Sequence, residues 1–181
     1  NKRHKFIFQN PDDINFFLNK KLLISEQCYL IRGSGVKIKK ENILRNNNVI
    51  RYGIMSRMLW SKGINDFIKA GDIVISKNPK TEFIILGSPD NSSPDTIPFS
   101  WLEKINDKKG FFWFPHKEDV NGFLKKIDVF CLPSYYPEGL PKSLLEAAVM
   151  RLPLITTDTP GCREIVKNNI NGFLIKIKDP K

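Results

Sequence analysis

Residues that carry the commonest metal and disulfide chemistry are scarce in this chain of 181 residues. Three cysteines, Cys28, Cys131 and Cys162, lie far apart without a CxxC pair, and the two histidines are His4 and His116. An odd and scattered set of cysteines disfavours a disulfide framework and a zinc knuckle, and two histidines disfavour a catalytic zinc site. A reducing compartment fits this cysteine usage best.

Several motifs that define large enzyme classes are also missing. No GxGxxG follows a strand-like run and no GxxxxGK[ST] occurs, which disfavours a dinucleotide site and a P-loop. No Asp-X-Asp triplet occurs, so a magnesium site built on paired carboxylates has no obvious place. Apolar runs stay well below the roughly 20 residues of a membrane span, and no signal peptide is visible. We therefore expect a cytoplasmic protein that uses neither a metal nor an organic cofactor.

What the chain does have is a globular composition with an excess of positive charge. Hydrophobic residues make up 41% of the chain, charged residues 27%, and the net charge is +10. Such a charge predicts an anionic partner, which is nucleic acid, an acidic membrane surface or a phosphate-bearing ligand. The alternative is that the extra lysines only solvate the surface.

Short β-branched and aromatic runs alternate with helical patterns along the chain. Strand-like TEFIILG, GFFWF and DVFCLP are interspersed with helix-like GINDFIKAGDIVISK, EDVNGFLKK and PKSLLEAAVM. This alternation is typical of βαβ units and predicts an α/β fold with a doubly wound, Rossmann-like parallel sheet. The aromatic side chains of GFFWF are expected to pack on both faces of a buried strand.

A polar stretch with two glycines, GSGVKIKKENILRNNN, is the best linker candidate. We divide the chain into residues 1–35, a linker at residues 36–48, and residues 49–181. The first part holds one β-α-β piece, which is too small for a domain and is interpreted as the end of an earlier one. The last part supplies about six strands, enough for a doubly wound domain. Because the chain starts at Asn1 rather than Met, we expect a fragment.

The loops that follow the strands are where an open α/β sheet binds its ligands. In one of them, YYPEGLPKSLLEAA, Pro141 is suited to the start of a helix. Gly139 permits a close backbone approach, and the free N–H groups of the first helical turn favour a phosphate. Glu138 and Glu146 flank this anion site, and carboxylates accept hydrogen bonds from the paired hydroxyls of sugars. A phosphate between two sugars fits this arrangement.

A second post-strand loop, SRMLWSKG, carries Arg57 and Lys62. A bidentate guanidinium and a compact ammonium together can neutralise a diphosphate. Simpler interpretations stay open: both bases are ordinary surface residues and Glu138 is a solvated loop residue. Glu146 is then only an i, i+4 partner of Lys142, worth about 0.2–0.5 kcal/mol.

Four segments together resemble a known family. SRMLWSKG, DVFCLPSYYPEGLPKSLLEAA, LPLITTDTPGCREIV and NGFLIKIKD are similar, in order and spacing, to the C-terminal donor domain of family 4 retaining glycosyltransferases of the GT-B fold, group 1. The resemblance covers about residues 49–179 and implies a nucleotide-sugar domain that lacks its terminal helices. Residues 4–35 resemble the last β-α-β unit of the acceptor domain. Leu-Pro after Glu-Gly is similar to enzymes of capsule, lipopolysaccharide and lipid-linked oligosaccharide assembly.

The resemblance also implies roles for individual residues. Arg57 and Lys62 would bind the diphosphate and neutralise charge on the departing nucleoside diphosphate, and Glu138 would contact the transferred sugar. These three are the catalytic candidates. Glu146 would hold the ribose. The other substrate-binding candidates are Gly139, Leu140, Ser143 and His116, the last in the loop after GFFWF as a lining of the base pocket.

The implied activity is retaining transfer of a sugar from a nucleotide sugar, foremost a UDP-sugar, to a glycan or lipid-linked glycan acceptor in surface polysaccharide assembly. A lipid-linked acceptor and the basic charge also imply peripheral association with the inner face of the membrane. The alternative is a non-catalytic, basic Rossmann-like module that binds nucleic acid or a protein partner. Nucleic acid would need a basic stripe over one face, whereas here the informative bases lie beside carboxylates. A sugar-nucleotide epimerase would need the missing glycine-rich fingerprint.

Overall fold

A computed structural model describes residues 4–37, 48–115 and 119–181. The strands are β1 (Phe6–Phe8), β2 (Cys28–Leu30), β3 (Ile50–Met55), β4 (Thr81–Leu86), β5 (Phe111–Phe114), β6 (Val129–Leu132), β7 (Leu154–Thr157) and β8 (Gly172–Ile175). The α-helices are α1 (Pro11–Asn19), α2 (Ile64–Lys77), α3 (Phe99–Glu103), α4 (Val120–Lys126), α5 (Lys142–Val149) and α6 (Cys162–Ile165). Short 3₁₀ turns occupy Ser25–Gln27, Trp60–Lys62 and Lys104–Asp107.

The larger sheet is parallel and has the strand order β5-β4-β3-β6-β7-β8. The chain builds outward from β3 to β5, then crosses back to place β6 on the other side of β3, and builds outward again to β8. The strand order therefore reverses between β3 and β6, where the loops that leave the carboxyl ends diverge and form a crevice. This topology confirms the predicted α/β fold with a doubly wound parallel sheet.

Helices pack on both faces of this sheet because its strands carry apolar side chains on both sides. On one face, Phe67 of α2 joins a buried cluster that includes Ile54 of β3. On the other face, Leu124 of α4 and Leu144 of α5 join a second cluster that includes Met55, the next residue of β3. The alternation of neighbouring side chains between two cores fixes the register of β3, since a slip by one residue would exchange the two faces.

Two local expectations differ from the structure. Strand β5 is an edge strand beside a groove next to α4, and its side chains alternate: Phe111 and Trp113 are buried, whereas Phe112 and Phe114 are exposed. The expectation that this aromatic run packs on both faces is therefore wrong. Helix α5 begins at Lys142, one residue later than expected, because Pro141 has an extended ψ of 113° and occupies the N-cap position.

A smaller parallel sheet pairs β1 with β2, with Phe6 opposite Cys28. Its crossover helix, α1, begins at Pro11, and the preceding Asn10 caps it by accepting a hydrogen bond from the backbone N–H of Asp13 at 2.8 Å. Residues 38–47 of the predicted linker lie outside the described residues, as does His116. The division into residues 1–35, 36–48 and 49–181 stays a prediction.

Candidate functional site

A cavity of about 760 Å³ opens at the crevice between β3 and β6. Its walls come from the loops after β3, β4 and β6 and from the beginning of α5. A crevice of this size at the carboxyl ends of parallel strands is a common place for a ligand. The lining residues that the sequence predicted are Arg57, Lys62, Glu138, Ser143 and Glu146. Further lining residues, which sequence reasoning missed, are Ser56, Ser88, Asp90 and Asn91.

Lys62 and Glu138 form an ion pair at the bottom of the cavity. The Lys62 residue is only 6% exposed, and its ammonium lies 4.5 Å from the centre of the Tyr136 ring, a cation–π contact. The hydroxyl of Ser134 donates to the same Glu138 oxygen at 3.4 Å. A buried pair of this kind holds both side chains firmly, because removing one partner leaves an uncompensated charge at a cost of roughly 3–5 kcal/mol.

Backbone contacts of Ser61 determine where Lys62 lies. The carboxylate of Asp95, in the loop after β4, accepts a hydrogen bond from the Ser61 backbone N–H at 3.0 Å and another from its hydroxyl. The Ser61 carbonyl accepts from the backbone N–H groups of Tyr135 at 2.9 Å and Tyr136 at 3.1 Å. The loops after β3, β4 and β6 are thus bound together beside the buried ammonium.

Arg57 occupies the outer part of the cavity and pairs with Asp90 at 2.8 Å. Hydrogen bonds from Ser92 and then from Arg57 lower the pKa of the Asp90 carboxyl, and the bond to Asp90 is the main cause of a raised pKa of Arg57. Both groups are therefore charged at neutral pH. The sequence marked the loop after β4 as a ligand-binding position, but nothing in it indicated which carboxylate would face Arg57.

The start of α5 closes one side of the cavity. Among the described residues no side chain caps this helix, so the N–H groups of its first turn are open to an anion. Glu146 lines the cavity one turn further and lies 3.6 Å from the Lys142 ammonium. The alternative i, i+4 pair therefore exists, but Lys142 is 75% exposed, which makes the pair weak.

Two predicted substrate contacts, Gly139 and Leu140, are not among the residues that line the cavity. A side-chain carbon at position 139 would come 2.1 Å from the amide oxygen of Gln9, so Gly139 lies close against the N-terminal unit, which is formed by β1, α1 and β2 with the residues that join them and directly follow β2. Leu140 packs towards Gly33 of the same unit. The roles of both residues stay predictions, as does the role of His116, which lies outside the described residues.

The charges around the cavity balance. Three basic side chains, Arg57, Lys62 and Lys142, face three carboxylates, Asp90, Glu138 and Glu146. In residues 4–37, 48–115 and 119–181, no group of three or more His, Cys, Asp or Glu side chains is placed to hold a metal ion. Such a cavity suits a small ligand that combines phosphates with hydroxyl groups, and its balanced charge gives no general attraction for a polyphosphate strand.

Solved structures with this fold include two with the same arrangement over nearly the whole chain. TarM of S. aureus superposes with a TM-score of 0.81 at 22% identity, covering 97% of this chain and 34% of TarM. HepE of Anabaena, solved with UDP and glucose, superposes with a TM-score of 0.79 at 18% identity, covering 97% of this chain and 50% of HepE. At these identities the likeness establishes the fold.

Sequence relatives include enzymes named for transfer to lipid-linked sugars. N,N'-diacetylbacillosaminyl-diphospho-undecaprenol alpha-1,3-N-acetylgalactosaminyltransferase of Campylobacter jejuni is 28% identical over an alignment 192 residues long, gaps included. The alignment covers 98% of this chain and 48% of that protein. UDP-Gal:alpha-D-GlcNAc-diphosphoundecaprenol alpha-1,3-galactosyltransferase of Escherichia coli is 32% identical over 143 residues, which cover 77% of this chain and 36% of that protein. The chain spans about half or less of the length of these relatives.

The sequence profile of the family described as glycosyl transferases group 1 matches residues 36–181. This match contains every lining residue of the cavity and most of the chain. The chain belongs to the glycosyl transferases group 1 family.

Proposed function

We propose that this chain is the donor-binding part of a retaining glycosyltransferase that moves a sugar from a nucleotide sugar to a glycan or lipid-linked glycan. Residues 49–181 would form the donor-binding domain, residues 1–35 the last β-α-β unit of the acceptor domain, and residues 36–48 the linker. One observation carries the proposal: two cations, an uncapped helix start and two glutamates surround one cavity at the switch point of the sheet. Membership of the family supports it.

The geometry supports a division of labour within the cavity. Arg57, Lys62 and the first-turn N–H groups of α5 would hold the diphosphate, since all three converge on the same space. Glu146 would accept hydrogen bonds from the ribose hydroxyls, and Glu138 from those of the transferred sugar. Ser143 would add a hydroxyl at the phosphates.

The proposed chemistry needs positive charge near the leaving group. As the bond from the anomeric carbon to the diphosphate breaks, negative charge grows on the phosphate oxygens, and Arg57 and Lys62 would stabilise it. Arg57 is paired with Asp90 near the cavity mouth, so donor binding would exchange this carboxylate for a phosphate, whereas Lys62 would keep its buried partner Glu138. Because the pair of Arg57 with Asp90 is exposed and therefore weak, this exchange would cost little.

A UDP-sugar is the proposed donor, and a glycan of surface polysaccharide assembly the proposed acceptor. The names of two relatives support the donor and the acceptor. The Escherichia coli relative is named for UDP-Gal and a diphosphoundecaprenol acceptor, and CapM of Staphylococcus aureus is named for capsular polysaccharide biosynthesis. Structural neighbours solved with UDP-glucose and with UDP and GlcNAc agree with this nucleotide.

Peripheral association with the inner face of the cytoplasmic membrane completes the proposal. No helix of the described residues is both long and apolar enough to cross a membrane. The net charge of +10 supports attraction to anionic lipids. Sedimentation of the chain with anionic vesicles, and not with neutral ones, is expected; equal recovery with both would oppose this part of the proposal.

Titration calorimetry with UDP, GDP and ADP tests the proposal. We expect UDP to bind most tightly, and Arg57→Ala to weaken its binding roughly 10- to 100-fold, the loss expected for a charged hydrogen bond to phosphate. Glu146→Gln should weaken the binding of all three nucleotides, because each carries a ribose. Lys108→Ala and Glu103→Gln are matched controls on the surface, away from the cavity. Failure of every nucleotide to bind, or equal binding by Arg57→Ala, would refute the proposal.

A further inference from the structure

Asn10 is a buried polar residue of the N-terminal unit whose side chain reaches the loop after β6. It is 0% exposed. Its side-chain nitrogen donates to the carbonyl oxygen of Gly139 at 3.0 Å and to the Asp13 carboxylate at 2.9 Å, and lies 3.5 Å from the carbonyl oxygen of Glu138. Its side-chain oxygen accepts from the backbone N–H of Asp13 at 2.8 Å. The carboxamide therefore uses both its donor and its acceptor capacity.

Only a carboxamide can make this set of bonds from this position. Serine, threonine or aspartate could cap α1 in the same way, because capping needs only an acceptor. An aspartate at position 10 would have no hydrogen to donate and would place negative charge against the Gly139 carbonyl. The choice of asparagine therefore follows from the bond to the loop, and not from the cap.

The peptide between Glu138 and Gly139 is enclosed on two sides. The side chain of Gln9 lies against the α-carbon of Gly139. On the other side is Gly161, with φ of 78°, where an added side-chain carbon would come 2.5 Å from the Gly139 carbonyl oxygen and 2.6 Å from that of Glu138. The peptide that follows Glu138 is thus in contact with the N-terminal unit and with the turn at Gly161.

Two ion pairs connect the N-terminal unit to helix α6, which Gly161 precedes. Arg163 pairs with Asp12 at 3.0 Å, and Arg32 pairs with Glu164 at 2.6 Å. These pairs lie at the two ends of the contact, one at the start of α1 and one after β2. The Asn10 side chain therefore meets the loop in a defined position, as part of a continuous contact between the two units.

We propose that Asn10 is a positioning residue, which couples the N-terminal unit to the sugar end of the donor site by fixing the backbone of Glu138 and Gly139. This inference rests on the proposed function, in which Glu138 contacts the transferred sugar. The carboxylate of Glu138 also holds Lys62, so the backbone bond and the ion pair orient it from both ends. Loss of the Asn10 bond frees the backbone end and changes how the sugar is held, while Arg57 and α5 still bind the diphosphate.

The test compares Asn10→Asp, which keeps the acceptor that caps α1 and removes both donated bonds, to Gly139 and to Asp13, with Asn19→Asp, which makes the same charge change at an exposed position at the end of α1. Calorimetry measures binding of UDP and of UDP-glucose, UDP-galactose and UDP-N-acetylglucosamine. We expect Asn10→Asp to weaken the binding of the best-bound UDP-sugar roughly 3- to 10-fold, as for the loss of the hydrogen bond to the loop. The binding of UDP should weaken less than about 2-fold. Asn19→Asp should match the unchanged chain.

Other outcomes overturn the inference or separate it from the proposed function. Unchanged binding of both ligands, or equal weakening of both, would show that Asn10 is only structural. If the unchanged chain binds no nucleotide, the proposed function fails. Hydrogen exchange then tests separately whether Asn10 holds the loop after β6 in place. Faster exchange at residues 134–140 in Asn10→Asp, with α1 still protected, would support the coupling, and unaltered exchange there would refute it.

Discussion

The two cations of the cavity are held very differently. Lys62 is buried and paired with Glu138, whereas the Arg57 side chain is 54% exposed and pairs with Asp90 near the cavity mouth. A buried pair is costly to separate, while an exposed one is weak and easily exchanged. Arg57 is therefore the cation that an incoming phosphate can recruit, and Asp90 is the group that it must displace.

Replacement of Asp90 by asparagine should strengthen UDP binding. The Asp90 carboxylate competes for the Arg57 guanidinium and repels the diphosphate, so its removal is expected to lower the dissociation constant roughly 2- to 5-fold at low salt. Calorimetry at two salt concentrations measures the effect, which should shrink as salt increases. Asp72→Asn is the matched control, since Asp72 pairs with Lys108 on the surface. Weaker binding by Asp90→Asn would show instead that Asp90 orients Arg57.

Cys131 provides a pH-dependent contribution to stability. Burial raises the pKa of its thiol from 9.0 to about 12, so the folded chain keeps this proton where the unfolded chain loses it. The contribution of Cys131 to the free energy of unfolding is thus fully present below pH 9 and decreases as the pH rises towards 12. The difference in unfolding free energy between the unchanged chain and Cys131→Ala should fall by up to about 1.4 kcal/mol per pH unit above pH 9. Urea unfolding measures it, and a pH-independent difference would contradict the assignment.

Three post-strand loops build the site as one unit. The loop after β3 carries both cations, the loop after β4 supplies Asp95, and the loop after β6 supplies Glu138. Gly63 lies at their meeting point, with φ of 76°, and ends the 3₁₀ turn that contains Lys62. A side-chain carbon on Gly63 would come 2.1 Å from the carbonyl oxygen of Pro133, so the loops after β3 and β6 pack backbone to backbone there.

Gly63→Ala should therefore separate the two loops. Alanine at positive φ costs about 1 kcal/mol, and displacement of the Pro133 backbone adds roughly 1–3 kcal/mol. Gly35→Ala is the matched control, because Gly35 has a similar φ of 69° and nothing within 4 Å of an added carbon. Urea unfolding should show the larger loss for Gly63→Ala, and calorimetry should show weaker UDP binding for it alone. Equal losses in both variants would contradict the tight loop packing.

The elements of the fold could be predicted because each has a local signal. Alternating strand and helix patterns indicated the parallel sheet, and the rule that ligands meet the carboxyl ends of strands placed Arg57, Lys62 and Glu138 at one crevice from the sequence alone. The pairings of Arg57 with Asp90 and of Asn10 with Gly139 could not be predicted. They join residues 33 and 129 positions apart, and no local pattern encodes which side chains meet.

On the scale of the whole molecule, the chain has a net charge of +10, whereas the charged residues that line the cavity balance. The composition alone left nucleic acid open as a partner, since net charge does not show where the charges lie. Membership of the glycosyl transferases group 1 family confirms the resemblance that the four sequence segments carried. The edge position of β5 was missed because strand order depends on long-range crossovers, and not on the strand's own residues.

A crystal structure of this chain with UDP is the most direct measurement of the central claim, that one cavity binds the nucleoside diphosphate. We expect the diphosphate to lie within hydrogen-bonding distance of Arg57, Lys62 and the first-turn N–H groups of α5, with the ribose hydroxyls at Glu146. Arg57 should have exchanged Asp90 for a phosphate oxygen. UDP bound elsewhere on the molecule, with this cavity empty and the Arg57 to Asp90 pair intact, would contradict the claim.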